Sequence, residues 1–276
     1  MSSQLLPVHE ALKSVLGENL SAVIAYGSMI RPEDRAQVSE LNLLILVKEK
    51  VPAALRGQIA EMLGSNVSTI VLDLESFRRM VSEGEYLAHE VLGGGKVIYS
   101  DEEFENLRAC KPPINERTLE YLRRHALACL ALSIENLSAG RYVWSVNYAY
   151  RAVRSAARFY AACRGVLPFS DDEVAEALKP AGSAAHVFAR VREARRVGVE
   201  AGELHELLAS CYNAVLELLG YERAEWWEAL RKVEALFVSD VTLREEDGVL
   251  YMAVKGVGKD KETIDTSVPV ARRTRS

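Results

Sequence analysis

Hydrophobic and polar residues recur with two different periods along the chain, and the pattern changes near residue 111. Before that point, short apolar runs rich in β-branched residues alternate with amphipathic stretches, which predicts strands and helices in turn. Helices are predicted over 5–16, 53–63 and 76–81, and strands over 22–26, 41–47, 67–72 and 96–99. The pattern therefore predicts a small mixed α/β domain over residues 1–110.

Two consecutive prolines, Pro112 and Pro113, follow this region and predict a linker, because consecutive prolines cannot continue a helix. After them, apolar positions recur at helical spacing, and glycines separate the segments. Helices are predicted over 115–139, 141–164, 171–178, 184–196 and 203–219. This region, 115–235, is predicted to be a helical bundle.

Strand-like patterning returns near the C-terminus. Two apolar runs, 237–243 and 249–254, flank the dipeptide Asp247-Gly248, which tolerates positive φ in a tight turn, so we expect a β-hairpin over 236–255. The chain is polar from Gly256 onward, and such a composition buries little surface, so we expect a flexible tail over 256–276. The predicted fold class is α+β: a mixed β-sheet domain, a helical bundle and a C-terminal β-hairpin.

Composition excludes some functions. A formal net charge of −5 disfavours indiscriminate binding to nucleic acid or to an anionic membrane. The four cysteines are widely spaced and form no C-x-x-C pair, so neither a zinc site nor a redox motif is predicted. The first sixteen residues lack the uninterrupted apolar stretch that a signal peptide needs, and no later apolar run reaches membrane-spanning length. We therefore expect a cytoplasmic protein with neither nucleic acid nor a membrane as its partner.

The most informative chemistry lies at the end of the first predicted strand. Gly27 lets backbone N–H groups approach phosphate oxygens, and the hydroxyl of Ser28 adds a donor. Glu40 and Asn42 lie two residues apart at the next strand, so their side chains project to the same face. The sequence thus predicts two oxygen-bearing side chains beside a phosphate-binding turn.

This arrangement resembles the nucleotidyltransferase superfamily, in which an apolar strand, Gly-Ser, a spacer and a pair of alternate acids follow one another. The segments 72–77 (LDLESF) and 95–99 (GKVIY) are also similar to small bacterial and archaeal members. In that family two acids, with a third on a neighbouring strand, hold two divalent ions that bind a triphosphate and activate an acceptor hydroxyl. The resemblance implies transfer of a nucleoside monophosphate, AMP in the first instance, from a triphosphate with Mg²⁺ or Mn²⁺ to a small-molecule or protein acceptor.

The resemblance makes Glu40, Asn42 and Asp73 the catalytic candidates, with Glu40 and Asn42 as metal ligands. Glu40 stands where aspartate is usual, and Asn42 is neutral, whereas Mg²⁺ is usually held by carboxylates and phosphates. Asp73 lies at or past the end of its strand, where a capping role is as well supported as ligation. One metal ion bridged by the nucleotide fits these residues better than two.

The nucleotide-binding candidates are Gly27, Ser28, Arg31, Arg151 and Arg154. Arg151 and Arg154 share a face of the second bundle helix, where they either meet the triphosphate in an interdomain cleft or form an ordinary ion-paired surface, and the second alternative is favoured.

The bundle resembles, more loosely, the helical domains of aminoglycoside-modifying enzymes and of the HEPN group. The arginine-then-histidine motif of HEPN ribonucleases is missing, so we do not expect ribonuclease activity. Two functions stay open. One is a nucleotidyltransferase, and the other is a catalytically degenerate protein of the same fold that senses nucleotide or binds a partner as antitoxin-like members do. A homodimer is compatible with both.

Overall fold

The computed structural model describes residues 2–31, 34 and 41–274, with side chains from residue 8 onward. The chain divides into two compact units, Met1–Thr118 and Leu119–Ser276. Both helices and sheets contribute to the fold, so the predicted α+β class is confirmed.

A four-stranded sheet forms the centre of the first unit. Its strands are β1 (Leu20–Tyr26), β2 (Leu41–Val47), β3 (Val67–Asp73) and β4 (Lys96–Ser100), in the order β3-β2-β1-β4. Strand β1 is antiparallel to β2 and β4, whereas β2 and β3 are parallel. All of β1 and the last five residues of β2 are buried, because helices cover both faces of the sheet.

Among its described residues, this unit has the α-helices α1 (Ser2–Leu16), α2 (Ala53–Leu63), α3 (Leu74–Glu83), α4 (Tyr86–Gly94) and α5 (Glu102–Arg108). Residues of α3, α4 and α5, such as Phe77, Val91 and Phe104, pack on one face of the sheet. Leu12 of α1 and Ile59 of α2 pack on the other face. The sequence pattern did not predict α4 or α5, and the glycines at the end of α4 hid its helical period.

The segment after the double proline is attached to the first unit. Asn115 donates from Nδ2 to the carbonyl of Glu83 (3.0 Å), and Thr118 donates from its hydroxyl to the carbonyl of Gly84 (2.7 Å). Arg117 pairs with Glu83 and Glu85. These contacts explain why the first unit extends to Thr118, past the predicted end at residue 110.

The second unit contains the predicted helices. They are α6 (Glu116–Ser138), which begins in the first unit, α7 (Tyr142–Ala162), α8 (Asp171–Leu178), α9 (Ser183–Val197) and α10 (Ala201–Leu219). A further short helix, α11 (Trp226–Val233), was not predicted; its buried Trp226 packs edge-on against the ring of Tyr212, at 5.2 Å between centroids. Within the described residues, no helix combines the length and the apolar character needed to cross a bilayer.

A three-stranded antiparallel sheet follows the helices, with strands β5 (Ala235–Glu246), β6 (Val249–Gly258) and β7 (Thr263–Arg272). The predicted hairpin is confirmed, with Asp247 and Gly248 at φ 50° and 75° in its turn. The prediction of a flexible tail from residue 256 is wrong over β7, which pairs with β6. Alternate apolar residues, Ile264, Val268 and Val270, pack β7 against the core that the helices and the sheet share, despite the polar average composition.

Candidate functional site

The turn after β1 depends on glycine. Gly27 has φ 83° and ψ −166°, a conformation that residues with a Cβ atom rarely adopt. Residues Ser28–Ile30 then form one 3₁₀ turn, in which the carbonyl of Ser28 accepts from the N–H of Arg31 at 3.2 Å. The chain therefore leaves the buried strand in a tight turn at the end of the sheet.

Asn42 lies directly against this turn. The register of the antiparallel pair β1–β2 places Asn42 opposite Tyr26. A Cβ atom built on Gly27 would lie 2.7 Å from Nδ2 of Asn42. The carboxamide of Asn42 thus occupies the space that a side chain at position 27 would need. The glycine turn after β1 and the polar residue of β2, which the sequence placed on separate strands, therefore lie side by side.

Ser68 lies beside Asn42 at the same end of the sheet. The parallel pairing of β2 with β3 places Ser68 opposite Asn42, and strand alternation directs both side chains to one face of the sheet. Both groups are uncharged. The sequence did not single out Ser68, because its neighbour across the sheet is known only once the parallel register of β2 and β3 is known.

Asp73 lies at the opposite end of the sheet. It pairs in register with Val47, five residues beyond the Asn42–Ser68 pair, which corresponds to about 16 Å along the strands. Its carboxylate caps α3, accepting from the backbone N–H and from the hydroxyl of Ser76, both at 2.9 Å. The structure thus shows the capping role that the sequence had left open for Asp73, and its catalytic assignment stays a prediction.

The ionisation of Asp73 agrees with that role. Burial opposes the charged form, but the hydrogen bonds from Ser76 outweigh it and hold the pKa of the Asp73 carboxyl below its ordinary value.

The described residues do not fit a two-ion site at this edge. Glu40, the first predicted metal ligand, lies outside the described residues. Within the part of the chain that the structure describes, no group of three His, Cys, Asp or Glu residues is arranged to hold a metal ion. Asn42 and Ser68 offer neutral oxygens where the resemblance implies carboxylates, and neutral oxygens bind Mg²⁺ less well than carboxylates do.

Arg31 holds the end of the turn. Its Nε lies 2.8 Å from Oδ2 of Asp34, whose side chain is fully buried, and Nη1 donates to the carbonyl of Gly94 at 3.1 Å. Glu90 of α4 lies 4.0 Å from Nη2. Arg31 thus pairs with Asp34 and connects the turn to the end of α4, and its predicted role towards phosphate stays a prediction.

The two arginines predicted on α7 have different environments. Arg154 is largely buried, with Nε 2.8 Å from Oδ1 of Asp171 and Nη2 donating to the carbonyl of Phe169 at 2.6 Å. Arg151 is exposed and lies over the ring of Tyr148, 5.6 Å from its centroid. Arg154 thus fixes the loop before α8 through a buried ion pair, while Arg151 lies at the surface of the second unit.

Comparisons with known proteins give structural similarities only. No protein-family profile and no curated protein matches the chain. Spectinomycin adenyltransferase AAD(9) from Enterococcus faecialis, solved with ATP and spectinomycin, is 11% identical, with 77% of this chain and 98% of that chain covered and a TM-score of 0.49. A nucleotidyltransferase-like protein from Exiguobacterium sibiricum 255-15 is 11% identical, with 98% and 99% covered and a TM-score of 0.32.

The third similarity is to a chain of the complex between the tri-AMPylated Shewanella oneidensis HEPN toxin and the MNT antitoxin. It is 17% identical, with 40% of this chain and 81% of that chain covered and a TM-score of 0.29. These three solved structures are nucleotidyltransferase-fold proteins, similar at low identity and, in the last case, over part of the chain.

Proposed function

We propose that the first unit binds a nucleoside triphosphate at the Gly27-Ser28 turn and does not transfer the nucleotide efficiently. The protein would then act as a nucleotide-sensing or partner-binding member of the nucleotidyltransferase fold. The observation that carries this proposal is the neutral carboxamide of Asn42, which lies against Gly27 and opposite Ser68.

Binding of phosphate is supported by the donors at the turn. The backbone amides of the 3₁₀ turn, the hydroxyl of Ser28 and the carboxamide of Asn42 are neutral groups that suit phosphate oxygens. Asp34, the nearest described carboxylate in sequence, is paired with Arg31, so it adds little repulsion towards an anion. Such a site binds the triphosphate through hydrogen bonds, with a divalent ion held mainly by the phosphates themselves.

Efficient transfer needs more than these groups supply. In-line phosphoryl transfer is accelerated chiefly by positioning and by positive charge placed at the reacting phosphoryl group. A carboxylate at position 42 would hold a cation there, whereas the amide contributes no charge. Since Asp73 is at the other end of the sheet, the described residues leave nucleotide binding, rather than AMP transfer to an acceptor hydroxyl, as the better supported activity.

Calorimetric titration of the full chain with each of the four ribonucleoside triphosphates, with and without Mg²⁺, tests the proposal. We expect binding of at least one triphosphate, weakened roughly three- to tenfold by Ser28→Ala, because one hydrogen-bond donor is lost. Ser14→Ala is the matched control, since that hydroxyl is exposed on α1 and donates to the carbonyl of Ala11.

Two outcomes contradict the proposal. If no triphosphate gives heat at millimolar concentration, the turn is not a phosphate site. If mass spectrometry instead detects rapid, multiple-turnover addition of AMP to an acceptor, the protein is a transferase, and its cation ligands must come from residues such as Glu40.

A further inference from the structure

The two edge strands of the C-terminal sheet are protected to different degrees. β7 carries Pro269, which has no N–H to offer another strand. Its end is also covered, because Tyr221 forms a bridge with Arg273, and the N–H of Glu222 donates to the carbonyl of Arg272 at 2.8 Å. Natural sheets protect their edges in such ways against pairing with other chains.

The other edge, β5, offers unpaired backbone groups. Asp247 and Gly248 form a two-residue turn with positive φ, which makes Glu246 and Val249 a hydrogen-bonded pair. Hydrogen-bonded pairs alternate along an antiparallel ladder, so the N–H and C=O groups of Val241, Leu243 and Glu245 point away from β6. Among the described residues, no strand lies beyond β5.

A groove runs along this open edge, between β5 and α6. Its volume is about 430 Å³, within the range of about 300–1,000 Å³ that ligand clefts occupy. The α6 side is mainly apolar, with Leu127, Ala128, Ala131 and Leu132. Residues 123–132 of the helix and 241–245 of the strand each extend about 14 Å, so helix and strand line the groove over the same length.

The charges at one end of the groove favour an acidic group. Glu245 is the acidic residue there, and it is already matched by Arg123 (2.9 Å), Arg273 (3.6 Å) and the hydroxyl of Tyr221. The side chain of Arg124 is 76% exposed, and its pairing with Glu120, at 3.8 Å between exposed groups, is weak. The net charge of the residues lining this end is therefore positive.

We propose that the groove between α6 and β5 binds an extended peptide of a partner protein, which adds to the sheet as a fourth strand. Its backbone pairs with Val241, Leu243 and Glu245, its alternate apolar side chains pack on the α6 side, and an acidic side chain meets Arg124. Recognition of this kind obtains affinity from main-chain hydrogen bonds and specificity from alternate side chains.

A labelled peptide of about six residues, the usual length of a strand, is the probe. It alternates valine with threonine and carries aspartate at one end, and both chain directions are measured by fluorescence anisotropy with the full protein. N-methylation of single amides should weaken binding about three- to tenfold at every second position and leave the positions between unchanged. A merely hydrophobic contact would not produce this period of two.

Two variants locate the site. Ala128→Trp fills the groove and should abolish binding, whereas Ala60→Trp, at an exposed position of α2, should bind like the wild type. Arg124→Glu should weaken binding of the peptide that carries aspartate. It should strengthen binding of a peptide that has lysine in place of this aspartate. The proposal is overturned if no binding is detected at millimolar peptide, or if N-methylation weakens binding without the alternate pattern. It is also overturned if sedimentation shows a dimer that Ala128→Trp dissociates, because a second copy of the chain would then occupy β5.

Discussion

Two polar clusters of this protein each contain predicted nucleotide-site residues, Gly27 and Asn42 in one and Arg154 in the other, and they differ in charge. In the first unit, Gly27, Asn42 and Ser68 are neutral and lie at the same end of the strands β1, β2 and β3. In the second unit, Asp171 is 1% exposed and is paired with Arg154 at 2.8 Å and with Arg192 at 3.4 Å. Both clusters are polar, but only the second contains ion pairs.

The ion pairs of Asp171 stabilise the fold, whereas the neutral groups around Asn42 are suited to a ligand. Tyr150 donates its hydroxyl to Asp171 at 2.6 Å, and burial raises the pKa of Tyr150 to about 12, so that the donor keeps its proton. The carboxylate of Asp171 therefore has its partners within the protein. The neutral edge at Asn42 can instead exchange hydrogen bonds with a ligand without first breaking an ion pair.

The largest effect is expected at Asp171. Asp171→Ala leaves the largely buried guanidinium of Arg154 without its carboxylate, so the free energy of unfolding should fall by about 3–5 kcal/mol. Chemical denaturation of the full chain measures it. Asp172→Ala is the matched control, because the Asp172 side chain is 71% exposed and its pairing with Arg192 should contribute at most about 1 kcal/mol. Equal losses in both variants would show that the cluster is not a structural ion-pair network.

Gly27→Ala should cost about 1–3 kcal/mol of stability, because position 27 has a positive φ and a Cβ atom would meet Asn42. Gly57→Ala, in the middle of α2 with nothing near its Cβ position, should instead stabilise by roughly 0.5–1 kcal/mol. Thermal unfolding compares the two. Adding Asn42→Ala to Gly27→Ala should recover part of the loss. If it recovers nothing, the close approach of Asn42 to Gly27 is not real.

Asp73→Ala should cost about 1 kcal/mol at pH 7, because α3 loses its N-cap. The folded pKa of Asp73 is depressed, so the charge-dependent part of this contribution is present above the ordinary pKa of 3.8 and is lost as the pH falls through the folded value. Urea denaturation between acid and neutral pH should show the wild type and the variant converging at low pH. Asp73→Asn is the control, since it keeps a capping oxygen without that pH dependence. If Asp73 lies outside the nucleotide site, both variants must also bind nucleotide like the wild type.

Much of the fold could be predicted from periodicity. The nearly continuous apolar run of β2 and the amphipathic helices α2 and α8 have the predicted bounds, since each is set by its own local pattern. β7 could not be predicted, because its burial depends on pairing with β6 rather than on its composition.

The candidate site was predictable only in part, for a physical reason. The neighbourhood of Gly27 and Asn42 follows from two strands consecutive in sequence, and the structure brings them together. The positions of Ser68 and Asp73 depend on β3 being parallel to β2 and on its register, which the local pattern does not contain. Likewise, the partner of Arg154 comes from the next helix, and the stripe on α7 could not identify it.

Replacing Asn42 by aspartate tests the nucleotide site most directly, because it keeps the size of the side chain and adds a charged oxygen beside Gly27. With ATP present, Asn42→Asp should bind Mn²⁺ about fivefold more tightly than the wild type, close to 1 kcal/mol, and should show any transfer activity more strongly. Asn106→Asp, an exposed change of equal charge on α5, should leave the affinity for Mn²⁺ unchanged. If wild type and Asn42→Asp bind Mn²⁺ equally, Asn42 does not stand where a metal ligand would, and the assignment of this edge as a nucleotide site weakened by a neutral residue is contradicted.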